Sequence, residues 1–208
     1  MNQEVERRTI EIDTDDVLTP TDDAYTPYFK KLIPDYSPQK YIDAWGMPKV
    51  RETCPEAWEL VQKLWRDYDF MVNLERAPDV EAGFQILNNL DFDMVVHTHI
   101  LSDDAARARR EWLEALMIDA DTNFEIDICQ GKTKKSLENP YVTIEDNLDN
   151  LNRSKAKIKF LIRNYHNRKF TEKDIVGGEI RMVCSSFYEA ALMLSKIESN
   201  TKNEAAAC

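Results

Sequence analysis

The 208-residue sequence has no apolar run approaching the roughly 18 residues of a membrane-crossing helix. It also lacks an excess of basic charge: 27 lysines and arginines stand against 38 aspartates and glutamates, for a net charge of −11. An extended nucleic-acid polymer is therefore a poor partner, because binding a phosphate backbone needs a basic surface. A small phosphorylated ligand stays open, since one bound divalent cation and a few local cations can reverse the field at a single site. Cysteine is scarce. Cys54, Cys129, Cys184 and Cys208 form no Cys-x-x-Cys pair and have no zinc-type spacing with a histidine. They read as reduced thiols. The opening stretch MNQEVERRTIEID mixes charges where a leader would carry an apolar run. Both features give a cytoplasmic expectation. Internal repeats and low-complexity segments are absent as well.

Apolar material is plentiful. Hydrophobic residues make up 43% of the chain and include four tryptophans, enough for a sizeable core. The length fits one domain carrying an insert. Arg8 to Asp13 alternates and then runs into acids, as a short strand would. Thr19 to Pro38 holds Pro20, Pro27, Pro34 and Pro38 and predicts a loop with short helices at most. Pro55 suits a first helical position, and Trp58, Val61, Leu64 and Trp65 follow on helical spacing. Asp79 is placed to cap a helix reaching Leu90.

From there the pattern is regular. Residues 93–98 (DMVVHT) read as a strand, and Ser102 or Asp103 caps a helix to Leu116. Further strands are expected at 124–129, 141–145 and 157–162, with a last strand-like run after the Gly177-Gly178 turn and a closing helix over 186–197. Strands alternating with helices favour an α/β fold with a parallel sheet between helical layers. The irregular stretch 19–78 is expected to be a small, mainly helical cap inserted after the first strand. Residues 1–18 and 79–198 would then form the core, and 199–208 a flexible tail.

In a parallel sheet, ligands bind beyond the carboxyl ends of the strands. The residues found there are Asp13, Asp15 and Asp16, then Thr98 and His99, then Glu145 and Asp146. Acids ending two separate strands repel each other unless a cation or proton lies between them. Oxygen ligands point to Mg2+ rather than zinc. The plainer readings are solvated acidic turns, a helix cap at Glu145-Asp146, and packed histidines at His97 and His99, which would face away from Thr98.

Four segments in order resemble the motifs of the haloacid-dehalogenase-like superfamily. Ile10 to Leu18 is similar to its apolar strand followed by Asp-x-Asp. Val95-Val96-His97-Thr98 is similar to its strand ending in Ser or Thr. Arg109, three residues before Trp112, stands where the family places a Lys or Arg. Val142 to Asn147 is similar to its strand ending in paired acids. The segments Asp69 to Leu74, Glu111 to Leu113 and Tyr165 to Arg168 further resemble the 5′(3′)-deoxyribonucleotidase or 5′-nucleotidase-like branch. Asp16 departs from the glycine common at its position, and His99 from the usual serine.

The resemblance implies a three-layer α/β/α Rossmann-like fold and a Mg2+-dependent phosphatase. Asp13 would be the nucleophile and Asp15 the acid and base. Asp13, Asp15 (through its carbonyl), Asp146 and Glu145 would hold the metal. Thr98 and Arg109 would hold the phosphate, with Lys132 as a second candidate cation and His99 beside them. Phe70 and Trp45 would contact the base of a nucleoside monophosphate, while Trp58 and Trp65, at helical spacing, read as core. Three alternatives remain: a non-catalytic binding or regulatory protein, a phosphatase for another small phosphorylated metabolite, and one for a nucleic-acid end. A homodimer also stays open.

Overall fold

The structure, a computed structural model, describes residues 8–130 and 139–207. Strand β1 (Arg8–Asp13) alternates, with Ile10 and Ile12 on one face and Glu11 and Asp13 on the other, all at or near full burial. The chain then leaves the sheet for six short helices: α1 (Thr21–Ala24), α2 (Thr26–Leu32), α3 (Pro38–Tyr41), α4 (Pro48–Thr53), α5 (Pro55–Leu64) and α6 (Tyr68–Val72). Pro27, Pro38, Pro48 and Pro55 each stand in a first turn, where the missing N–H costs nothing. They also keep the helices short. Helices α2 to α5 and the loops flanking them share an apolar cluster that includes Tyr25, Phe29, Tyr36, Ile42, Val50 and Val61, whereas α6 buries Met71 in a separate cluster.

The regular α/β pattern then runs through α7 (Val80–Asn88), β2 (Phe92–Ile100), α8 (Asp103–Asp119), β3 (Glu125–Gln130), β4 (Val142–Glu145), α9 (Leu148–Arg153), β5 (Ile158–Ile162), β6 (Ile180–Cys184) and α10 (Phe187–Ala207). Ser102 caps α8 by accepting from the Ala105 N–H at 3.2 Å. Asp79 occupies the corresponding position before α7 but makes no side-chain cap; its φ of 60° turns the side chain away. The closing helix continues to Ala207, past Ser199 where the sequence predicts fraying.

All sheet pairings are parallel, in the order β3-β2-β1-β4-β5-β6. β1 is central, and the connections run outward from it in both directions. One sheet face is apolar: Ile10, Ile12, Val96, Ile144, Phe160 and their neighbours pack on α7, α8 and α10 in the largest core cluster. The other face is polar for a buried parallel sheet. Glu11, Asp13, His97, Thr143, Glu145 and Lys159 all lie there, buried. Among the described residues, no helix is long and apolar enough to cross a membrane.

Candidate active site

The strand order reverses at β1, which pairs with β2 on one side and β4 on the other. Such a reversal opens a crevice beyond the strand ends. Asp13 ends β1, Glu145 ends β4, and Asp146 follows directly. Their carboxylate oxygens come within 4.8 Å of one another. Three carboxylates this close need a shared cation or proton. An all-oxygen set of this charge suits Mg2+, so the residues present fit that ion. The helix-cap alternative for the paired acids fails, because Asn147 caps α9 by accepting from the Asp149 and Asn150 N–H groups. Glu145 is oriented instead by the Asn147 N–H, at 3.1 Å. The Asp146 carbonyl is held by Asn167 Nδ2 at 2.7 Å.

Asp15 turns out of the strand and is gripped through Oδ1 by Arg109 Nη2 at 2.6 Å and Thr21 Oγ1 at 2.9 Å. Arg109 is fully buried, and its Nε and Nη1 find no hydrogen-bond partner among the described residues. It does not line the cavity. The expectation that Arg109 holds the phosphate directly is therefore corrected: it lies behind Asp15 and acts on it. Asp16 has φ 57°, a left-handed conformation that explains why glycine is common at this point of the motif. Its carboxylate compensates by accepting from the Asp22 N–H at 2.9 Å. Burial, and then the nearby Asp22 and Asp146 charges, push the Asp16 carboxyl well above its ordinary range.

Thr98 is also corrected. In the β1–β2 register Asp13 pairs with His97, so His97 shares its face and Thr98 points to the other. β2 does not stop at Thr98 but runs on to Ile100. Thr98 is thereby fully buried and lines no part of the cavity, whereas His99 does line it. Both histidines do face away from Thr98, as the alternation predicts, and that puts them on the face that carries Asp13.

Asp22 was not singled out from sequence, and His166 entered only as part of the Tyr165–Arg168 segment, with no role of its own. His166, from the loop after β5, lies 3.1 Å from Asp146 Oδ2 and 3.4 Å from Asp22 Oδ2. Burial alone would lower the imidazole, but its contacts with Asp146 and Asp22 outweigh that and raise it, so the ring is held protonated. Burial pushes the Asp146 carboxyl up to about 7, with Glu145 adding to the rise and His166 opposing it. Beside His166, Tyr165 Oη donates to Asp23 Oδ1 at 2.9 Å, so this loop ties the insert to the sheet.

Above the acids lies a cavity of about 410 Å³. Its floor holds Asp13, Asp15, Glu145 and Asp146, and its walls hold Tyr25, Trp45, Arg51, Trp58 and Trp65. Trp45 is 70% exposed. Trp58 and Trp65 reach the cavity as well as packing beside the insert's core. Arg51, unremarkable in sequence, stacks its guanidinium 5.0 Å over the Trp58 ring. Phe70 is corrected: it does not line the cavity but stacks behind Tyr25, with ring centroids 5.6 Å apart and planes at 14°. Lys132 lies outside the described residues.

No protein-family model matches this sequence, and no curated protein matches it. Solved structures do match the fold. A D,D-heptose 1,7-bisphosphate phosphatase from B. bronchiseptica, complexed with magnesium and phosphate, is 13% identical, with a TM-score of 0.54 over 91% of this chain and 98% of that one. A protein from Thermotoga maritima assigned as a beta-phosphoglucomutase is 12% identical, with a TM-score of 0.54 over 91% of this chain and 99% of that one. The chain has the haloacid-dehalogenase-like α/β fold.

Proposed function

We propose that the chain is a magnesium-dependent phosphomonoesterase acting through Asp13, with a nucleoside monophosphate as its substrate class. The observation that carries this reading is the convergence of Asp13, Asp15, Glu145 and Asp146 on the floor of one aromatic-walled cavity. The insert serves as the cap over that floor. In this mechanism the Asp13 carboxylate attacks phosphorus and the bond to the leaving oxygen breaks. Asp15 gives that oxygen its proton, through Oδ2, since Arg109 and Thr21 occupy Oδ1. Asp15 then takes a proton from water, which attacks the aspartyl-phosphate, releasing inorganic phosphate and restoring Asp13. Asp13, Glu145 and Asp146 would hold the Mg2+, which supplies charge neutralisation for carboxylates and phosphate together. Arg109 is a positioning residue acting through Asp15.

The aromatic walls support the nucleotide. Stacking contributes roughly 1–3 kcal/mol per base and tolerates different bases. The names of the two similar structures favour a second reading, a sugar phosphate. A panel of nucleoside monophosphates and sugar phosphates, assayed with Mg2+ on the natural protein and Asp13→Asn, tests both. The expected result is higher kcat/KM for the nucleotides and loss of all turnover in Asp13→Asn. A preference for sugar phosphates would remove the nucleotide, and turnover surviving in pure Asp13→Asn would remove the covalent mechanism.

A further inference from the structure

The polar sheet face carries a second cluster, outside the cavity and unused by the hydrolysis above. His97 on β2 and Asp127 on β3 are register partners, so their side chains rise from the same face. His97 Nδ1 lies 2.8 Å from Asp127 Oδ2. Cys129, two residues along β3, shares that face, with Sγ 3.8 Å from the same oxygen. One ligand atom from each of the three lies within 4.8 Å of the others. A tetrahedral centre with bonds of about 2.0–2.3 Å spaces its ligand atoms roughly 3.3–3.8 Å apart. The cluster is therefore near the required size, with Cys129 and Asp127 already at that spacing and His97 and Asp127 needing to separate slightly.

The surroundings of His97 are also built. A metal-bound imidazole typically donates its second N–H to a carboxylate, which fixes the ring. Here Nε2 faces Glu11 Oε1 at 3.5 Å. The other Glu11 oxygen accepts from Thr143 Oγ1 at 3.3 Å, and Thr143 shares a 2.7 Å hydrogen bond with Ser154. Glu11, His97, Thr143 and Ser154 are all buried. A buried polar chain of this kind offers little stability over an apolar packing of the same volume, which leaves its placement to be explained.

We propose that His97, Asp127 and Cys129 bind a zinc-class divalent cation that staples the edge strand β3 to β2. Imidazole nitrogen, thiolate and carboxylate together select such an ion over Mg2+, which takes oxygen ligands. The carboxylate and thiolate balance its two charges. Binding releases the Cys129 proton, and it stabilises the folded chain because the unfolded one has no such site. Asp127, with 37% of its side chain exposed, gives the ion its way in.

The test uses the full chain, stripped with chelator and titrated with Co2+ in excess Mg2+, so that the carboxylate site is filled. One equivalent should bind with a thiolate-to-cobalt charge-transfer band in the near ultraviolet. Cys129→Ser should abolish the band, and Cys54→Ser should keep it. Glu11→Gln should keep the band and weaken Co2+ binding roughly 10–100-fold, as for other partners of metal-bound histidines. Should Cys129→Ser fail to fold, Asp127→Asn on the half-exposed edge reads the same site through its weakened Co2+ affinity. Absence of the band in the natural protein, its survival in Cys129→Ser, or unchanged affinity in both Glu11→Gln and Asp127→Asn would overturn the proposal.

Discussion

Arg109 has no exposed surface and a single hydrogen-bond partner among the described residues, the Asp15 carboxylate. Removing one member of such a pair strands the other charge, at a cost of about 3–5 kcal/mol. Asp15→Asn is therefore expected to lose both activity, by about 10²–10⁴-fold, and stability. Asp13→Asn should lose activity with no comparable fall in melting temperature. Turnover and thermal melting of the two variants, measured side by side, check this. An Asp15→Asn variant that melts like the natural protein would mean that Arg109 has a second anion. Asp146 adds a pH dependence. Its carboxyl is raised from 3.8 to about 7 by burial, so its contribution to stability is full below about 3.8 and is lost as pH rises through about 7. Mg2+ competes with the proton for this group. The rise in melting temperature caused by Mg2+ should thus grow between about pH 5 and pH 8, and a rise independent of pH would count against Asp146 as a ligand. Asp13, Glu145 and Asp146 were legible in the sequence because each closes an apolar strand. The partnership of Arg109 with Asp15 was not, because it joins residues far apart in the chain and depends on how α8 is rotated.

At the scale of elements, α7 and α10 touch where Gly83 meets Phe187. A Cβ at Gly83 would fall 2.7 Å from two atoms of the Phe187 ring. That ring also packs against Phe84, at 4.8 Å between centroids, so it has little room to yield. Overpacking of this kind costs about 1–3 kcal/mol, against about 1 kcal/mol gained in helix propensity. Gly83→Ala should lower the melting temperature by a few degrees, and a rise would show that the ring moves freely. The insert makes a different prediction. Trp45 is exposed and lines the cavity, so Trp45→Ala should raise KM for a nucleotide roughly tenfold while leaving p-nitrophenyl phosphate turnover and stability nearly unchanged. Phe70→Ala should instead reduce stability and both activities together, because it supports Tyr25 from behind. Equal KM for the nucleotide in natural and Trp45→Ala protein would place the base elsewhere. Sequence periodicity found the elements of the regular α/β part and the helical character of the insert. It missed the end of β2 by two residues, and the motif alone did not say which face each residue there takes. The register settles that: His99 shares the face of Asp13 and reaches the cavity, while Thr98 lies on the opposite face.

For the molecule as a whole, the two sheet faces divide the labour: one is an apolar core against three helices, the other a run of buried polar groups from Glu11 to Lys159. The alternation in IEID and VTIE announces this division, since both strands carry their polar residues on one parity; VVHTH breaks it at Thr98, a polar residue on the apolar face. What the alternation omits is the cross-strand register that brings His97 to Asp127 and Asp13 to His97. The placement of β1 at the centre also bears on how the chain reaches this state. β1 is synthesised before its neighbours, yet its partners are β2, beyond the whole insert, and β4, further still. Neither pairing is local, and closing such long loops precedes any reward from contact. On the ribosome, β1 must therefore stay unpaired while the insert emerges and assembles around Tyr25 and Phe29. In refolding, the insert's aromatic fluorescence should recover before enzymatic activity, with a lag that sheet closure sets. The Asp13 carboxylate would be made before either strand that flanks it and would be among the last side chains set in place.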